Sequence, residues 1–147
     1  MSSLASVDLP DLNVWMALAL SSHAHHARAI EYWQAESAAR IAFCSHTVLG
    51  LARLLSNVKG MAGVPLTPEA AWIACRSWLG QERTIFSAEP RRCHIVLDAY
   101  VVGGFVRPKT WPDAYLAAFA ASGKMRLVSF DSDFSAFPSL DWLHLVA

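Results

Sequence analysis

Short apolar runs that alternate with longer amphipathic segments constrain the fold of this chain more than any other feature. Runs of strand character stand near residues 5–9, 41–44 and 125–130. Between them, apolar residues recur every three or four positions, which is the spacing of a helix that buries one face. This order predicts an α/β domain with a mostly parallel sheet.

The predicted elements begin and end at residues that suit those positions. Thr67 followed by Pro68 is a favourable helix start, and Gly123 is a favourable helix end. Pro10 cannot donate to a strand ladder, so we expect it at the end of the first strand, where it delivers Asp11 to a loop. The predicted helices cover residues 12–20, 23–38, 47–55, 67–79, 94–103 and 110–123, weaker strands cover 83–86 and 142–146, and a glycine-containing loop covers 59–68.

The composition predicts a single domain over residues 1–147 that is covered by a partner. Hydrophobic residues make up 54% of the chain and charged residues only 16%, so we expect an oligomer or a complex. The longest apolar stretch, residues 14–20, is too short to span a membrane, and the first residues do not resemble a secretory signal. We therefore expect a cytoplasmic protein without a membrane segment. The three cysteines have no regular spacing, which predicts reduced thiols.

The charge balance limits the kinds of nucleic-acid binding that fit. Twelve acidic and twelve basic residues cancel, which disfavours a non-specific coat on nucleic acid because such binding depends on excess Lys and Arg. Local binding of RNA is compatible with this charge balance, because four cations fall in one stretch: Arg91, Arg92, Arg107 and Lys109. A solvated helix face explains these cations equally well.

Three aspartates stand where strands end or helices begin. Asp11 follows the first predicted strand, Asp113 opens a predicted helix, and Asp131 follows the strand at 125–130. Each one alone has an ordinary explanation as a helix cap or a turn residue. In an open α/β sheet, however, the ligand site lies beyond the carboxyl ends of the strands. Together the aspartates predict an acidic crevice whose repulsion a divalent cation, Mg²⁺ or Mn²⁺, would relieve.

Four segments of the sequence form a recognisable set: DLNVWMAL at 11–18, TVLGLARLLSN at 47–57, WPDAYLAAFAASG at 111–123 and LVSFDSDFSAFP at 127–138. They resemble VapC-type PIN domains, and they stand in the right order over nearly the whole chain. The resemblance implies a three-layer α/β/α fold with a central, mostly parallel sheet of four to five strands. It also implies a Mg²⁺-dependent endoribonuclease toxin that cleaves RNA with a metal-activated water, a VapB-type antitoxin as partner, and a homodimer.

The resemblance assigns roles to individual residues. Asp11, Asp113 and Asp131 match the metal-binding acids, and Asp133 matches a further acid of the catalytic set in the late loop. Asn13 matches a residue that steadies the first carboxylate.

Arg53 matches the arginine of the mid-chain motif. Either a salt bridge to a site aspartate or a phosphate contact fits this arginine, and we favour the salt bridge.

Val48 departs from the family pattern. Many relatives carry a metal-binding Glu at this position, and valine can neither bind a metal nor accept a proton. We therefore expect at most one tightly held metal, on Asp11 and Asp131, with Asp113 in contact directly or through water. His46 could reach the crevice in compensation, although a surface position is the more ordinary expectation.

Other functions compete with RNA cleavage. A degenerate PIN domain that binds a protein or RNA partner without cutting would also explain Val48. A phospho-acceptor domain of flavodoxin-like fold also gathers aspartates around Mg²⁺, but no lysine is well placed after a late strand. The histidines at residues 23–26 fit the start of a helix better than a metal cluster.

The tryptophans suggest both core and surface roles. Core packing is the better account for most of them. Trp15, Met16 and Trp33, with the helix at residues 72–78, could line a groove for an antitoxin segment. For Trp111, core packing is favoured over stacking on an RNA base.

Overall fold

The computed structural model describes residues 6–57, 61 and 64–146. Five parallel strands form one sheet in the order β3-β2-β1-β4-β5. The strands are β1 (Val7–Pro10), β2 (Arg40–Phe43), β3 (Thr84–Phe86), β4 (Arg126–Ser129) and β5 (Trp142–His144). The helices are α1 (Leu12–Ala19), α2 (His26–Glu31, continued by a π-helical turn at Tyr32–Glu36), α3 (Ser45–Leu55), α4 (Pro68–Leu79), α5 (Cys93–Val102) and α6 (Trp111–Ser122), and a 3-10 turn covers Ser132–Ala136.

The two faces of the sheet belong to two separate cores. Along β2, Ile41 and Phe43 pack with α1 to α4, whereas Ala42 packs with α5 and α6. This alternation follows from the two-residue period of a strand. On one side Trp15 stacks on Phe43 with ring centroids 3.7 Å apart, and on the other side Phe119 is fully buried. The predicted three-layer α/β/α fold is confirmed.

A buried ion pair joins β1 and β4 at the amino end of the sheet. Asp8 is fully buried, and its carboxylate accepts hydrogen bonds from Nε of Arg126 at 2.8 Å and from Nη2 at 3.0 Å. The Tyr32 hydroxyl donates at 2.6 Å and the Ala38 N–H at 2.9 Å. A carboxylate out of water is tolerated only when it is satisfied in this way.

Most predicted boundaries lie within a few residues of the observed ones. Pro10 is the last residue of β1, and the Thr67 side chain caps α4 as expected. The helix predicted at 23–38 is shorter, because Nδ1 of His23 accepts a hydrogen bond from the His25 N–H and closes a turn before α2.

Some predictions lie outside the described residues. These are Ala5 of the first predicted strand and part of the predicted loop at 59–68, including Gly60 and Gly63. In the part of the chain that is described, no helix combines the length and the apolar character needed to cross a membrane.

The tryptophans divide differently from the prediction. Trp15 and Met16 are buried, so they do not line a surface groove, because five consecutive residues of α1 are covered by neighbouring elements. Trp33 and Trp78 are half-buried and pack edge-on against Trp15. Trp111 is 49% exposed, so the favoured core position was wrong. The buried face of α6 starts only after this residue.

Candidate active site

Asp11 lies directly beyond the carboxyl end of β1. Its backbone N–H donates to the carbonyl oxygen of Val128 at 2.8 Å, which continues the pairing with β4 by one residue. Its side chain caps α1 by accepting a hydrogen bond from the Leu12 N–H at 2.7 Å. Burial raises the pKa of the Asp11 carboxyl, although hydrogen bonds from Ser129 and Leu12 oppose the shift. The fold therefore fixes a carboxylate in a position where its charge is costly.

Ser129, the last residue of β4, holds the neighbouring polar groups in place. Its Oγ donates to Oδ2 of Asp11 at 2.9 Å, and it accepts from the Asp131 N–H at 2.9 Å and from Nδ2 of Asn13 at 3.2 Å. Asn13 thus reaches Asp11 through Ser129. Ser129 is not among the predicted site residues. A signal existed, because a serine that follows the apolar Leu127 and Val128 in a buried strand needs a polar partner.

Asp131 and Asp133 lie in the loop that follows β4. Asp131 caps the 3-10 turn, and its Oδ1 accepts a hydrogen bond from the Asp133 N–H at 2.9 Å. The carboxylate of Asp131 is half-buried and that of Asp133 is exposed. Because β4 is the neighbour of β1 in the sheet, this loop lies beside the end of β1 where Asp11 stands.

Asp113 completes the acidic group from the first turn of α6. Burial raises the pKa of its carboxyl to about 6, and the charges of Asp11, Asp131 and Asp133 add to the shift. Within the described residues its carboxylate accepts no hydrogen bond. The structure therefore brings four acids from three separate parts of the chain close enough for their charges to interact.

A cavity of about 530 Å³ opens at this acidic group. It is lined by Asp113, Asp131 and Asp133, and also by Arg107 and Lys109 from the loop before α6. Neither cation forms an ion pair among the residues that the structure describes.

The loop that carries the two cations is held at its end by Thr110. The Thr110 hydroxyl oxygen accepts from the Arg107 N–H at 2.9 Å and lies 3.2 Å from the Arg107 carbonyl oxygen. Within the described residues, the acidic and the basic side chains that line the cavity form no ion pairs with each other.

The donor chemistry of the crevice fits a hard divalent cation. Both oxygens of Asp113 and one oxygen of Asp131 are free of hydrogen bonds from described residues, and carboxylate oxygens are the ligands that Mg²⁺ prefers. Among the described residues, no three His, Cys, Asp or Glu side chains are grouped closely enough to enclose a metal ion. Ligation by all three predicted acids would thus require side-chain rotation or intervening waters.

Among the described residues, the side chains of Val48 and Arg53 make no polar contact with the acids of the crevice. Val48 is 6% exposed and belongs to the core beneath α3. Arg53 is exposed and forms no ion pair in the described part of the chain, so the favoured salt bridge to a site aspartate is absent. The reason is that its position on α3 faces solvent.

His46 lies close enough to Asp11 for the two charges to interact. Partial burial lowers the pKa of His46, the charge of Asp11 opposes that shift, and the charge of Arg53 adds to it. The His46 ring also packs against Tyr115, with ring centroids 5.7 Å apart. His46 is an exposed residue at the start of α3, as the more ordinary expectation has it, and lies near enough to Asp11 for their charges to interact.

Comparisons with known proteins identify related sequences and similar folds. The family described as PIN domain matches residues 9–140. The sequence is 41% identical over 145 residues to ribonuclease VapC41 of Mycobacterium tuberculosis, covering 95% of this chain and 98% of that protein.

Two solved structures share the fold. One is VapC20 of Mycobacterium tuberculosis, described as a toxin that cleaves the sarcin-ricin loop; it has a TM-score of 0.66 and 19% identity, over 91% of this chain and 98% of that chain. The other is VapBC2 of Rickettsia felis bound to a promoter DNA fragment, with a TM-score of 0.66 and 14% identity, over 95% of this chain and 99% of that chain.

Proposed function

The chain belongs to the PIN-domain family, in its VapC group, and we propose that it is a Mg²⁺-dependent endoribonuclease toxin of a toxin–antitoxin module. The observation that carries this proposal is that the charges of Asp11, Asp131 and Asp133 act on Asp113, and that Asp11 and Asp131 follow the adjacent strands β1 and β4. We treat residues 1–147 as a single PIN domain, since the described strands form one sheet.

The residues of the crevice have different proposed roles. Asp11, Asp113 and Asp131 would hold the cation, which supplies an acidified water and neutralises charge on the phosphodiester when it is bound. Asp133 lies at the exposed edge, where its carboxylate can orient that water or accept the proton that the water loses. Ser129 and Asn13 keep Asp11 in place by the hydrogen bonds described above.

RNA cleavage with Mg²⁺ and with EDTA tests the proposal. We expect cleavage with Mg²⁺ or Mn²⁺ that is lost in EDTA and in Asp11→Asn and Asp113→Asn. Asp98→Asn is a matched control, because Asp98 is an exposed aspartate on α5. If the wild type and both site variants arrest growth equally, the nuclease mechanism is wrong.

Val48 favours one alternative, a PIN domain that binds RNA or a protein partner without cutting. The core position of Val48 leaves the acidic set without the Glu that many relatives carry. Binding of RNA by the wild type in Mg²⁺ without any cleavage product would support this alternative over the nuclease.

The proposed partner is a VapB-type antitoxin that blocks the crevice, and the proposed site of action is the cytoplasm. Support comes from the similar solved structures, several of which are VapBC complexes. A homodimer remains part of the proposal, and it is supported by apolar side chains that are left exposed, among them Leu49, Ile73 and Val102. Co-expression with the product of the neighbouring reading frame, followed by mass measurement of the complex, tests both partners.

A further inference from the structure

Phe105 presents one side of an aromatic ring at the edge of the crevice. The ring packs on Gly103, where an added Cβ would lie only 2.6 Å from a ring carbon. Gly104 turns the chain with a φ of +80°, and the Phe105 N–H donates to the Tyr100 carbonyl oxygen at 3.0 Å. Phe105 nevertheless remains 39% exposed. The end of α5 therefore fixes the ring while it leaves part of its surface open.

Phe105 is one of the residues that line a second cavity, of about 300 Å³, which adjoins the acidic one. Arg107, Thr110, Asp113 and Asp133 line both cavities. The other residues that line the second cavity are Gly104 and the apolar Phe105, Ala136 and Phe137. A ligand can therefore place one group against the apolar residues while an adjoining group reaches Asp113.

The charges of the two cavities favour a ligand that carries an anion beside a flat ring. Arg107 lines both cavities without an ion pair among the described residues, so it is available to a phosphate. The edges of a nucleobase can pair with polar groups such as Asp133, while its face suits an aromatic ring. A nucleotide unit of RNA has this combination in one repeat.

We propose that the cavity at Phe105 receives one unpaired nucleobase of a single-stranded RNA, and that Arg107 contacts the phosphate next to it. This inference rests on the proposed function and assigns two residues of this chain to contacts with the RNA. A base in a duplex is stacked on its neighbours and cannot enter such a cavity, so the test uses single-stranded probes.

Binding in EDTA tests the inference without cleavage. The probe is a short, fluorescently labelled oligouridylate or oligoadenylate, and the readout is fluorescence anisotropy. Phe105→Ala should weaken binding by about 5- to 150-fold, the range for one lost base–aromatic stack. Phe105→Leu, which keeps apolar packing on Gly103, should weaken binding nearly as much. Phe105→Trp, which keeps an aromatic ring, should bind as the wild type does. Phe86→Ala, at an exposed phenylalanine on the edge strand β3, should bind as the wild type does.

A backbone-matched abasic oligonucleotide separates the two contacts. The loss caused by Phe105→Ala should disappear with this probe, whereas the loss caused by Arg107→Ala should persist. Arg107→Ala should also reduce the slope of log K against log salt by about 1, as expected for one phosphate contact. Arg76→Ala is the matched control, because Arg76 is an exposed arginine on α4 and lines neither cavity.

Specific outcomes overturn the inference. The inference is wrong if Phe105→Ala binds the oligonucleotides as tightly as the wild type does. It is also wrong if Phe105→Ala loses as much affinity for the abasic probe as for the probe that carries bases. Phe105→Ala protein that binds and cuts RNA normally but escapes inhibition by the antitoxin would assign the cavity to a protein segment instead. Failure of the proposed function gives a different result, in which the wild-type protein binds the probes in EDTA but cuts no RNA in Mg²⁺.

Discussion

Ser129 donates a 2.9 Å hydrogen bond to Oδ2 of Asp11, and the two residues lie 118 positions apart in the chain. The same hydroxyl oxygen accepts the N–H of Asp131 at 2.9 Å. One serine at the end of β4 therefore sets the position of two of the proposed metal-binding acids. A side chain that orients ligands in this way acts on the site without touching the substrate.

We expect Ser129→Ala to lower RNA cleavage by about 10- to 100-fold, the usual cost of losing such an orienting contact. The hydrogen bond from Ser129 lowers the pKa of Asp11 against the effect of burial. Its removal should thus also move the acid limb of the pH–rate profile to higher pH. Ser132→Ala, an exposed serine in the adjoining turn, should leave both the rate and the profile unchanged. A lower rate with an unshifted profile would contradict the proposed role.

The raised pKa of Asp113 predicts how stability depends on pH in metal-free buffer. The pKa of the Asp113 carboxyl is about 6 in the folded protein against 3.8 ordinarily, so the folded state binds more protons between these values. Stability should accordingly fall as pH rises from about 4 to about 6. Because Asp113 is only half-buried, solvent screening limits the effect to about 1 kcal/mol.

Asp113→Asn removes this repulsion and separates it from other titrations. In EDTA at pH 7.5 the variant should unfold at a higher urea concentration than the wild type, and near pH 4 the two should agree. Mg²⁺ should then stabilise the wild type more than the variant. Equal urea midpoints at both pH values would show that the acids do not repel each other in the folded state.

Val48→Glu tests whether the missing carboxylate limits metal binding. Val48 is buried, so the change should cost about 2 to 4 kcal/mol of unfolding free energy without metal. If the new carboxylate reaches the crevice, Mg²⁺ should bind more tightly than to the wild type and restore part of the loss, as measured by calorimetry and thermal unfolding. Ser77→Glu adds the same charge at an exposed position on α4 and should change neither quantity appreciably. Unchanged Mg²⁺ affinity of Val48→Glu would count against the one-metal proposal.

Arg126→Met tests the buried ion pair with Asp8. The change leaves a fully buried carboxylate without its cation, which should cost about 3 to 5 kcal/mol in urea unfolding. Arg40→Met is the control, since Arg40 is exposed on the adjacent strand β2 and makes one long hydrogen bond, 3.4 Å, to the Ala39 carbonyl oxygen. Similar losses for the two variants would show that the pair contributes no more than a surface arginine does.

The sequence by itself determined the order of the elements and the places of the acids. Helix caps, proline restrictions and apolar periodicity are local, so Thr67 and Pro10 mark their boundaries without knowledge of the fold. The family resemblance rested on motifs that are also local. Parallel pairing then places Asp11 and Asp131 beside each other, since β1 and β4 end at the same edge of the sheet.

The tertiary structure alone decided which side chains meet and which remain apart. The contact of Ser129 with Asp11, the burial of Val48 and the lack of an ion pair between Arg53 and any described residue all depend on the packing of segments that are distant in the chain. The same holds for the cavity at Phe105, which forms between the end of α5 and the 3-10 turn after β4. Local periodicity gives the face of an element that is apolar, whereas contact distances follow from how elements are oriented against each other.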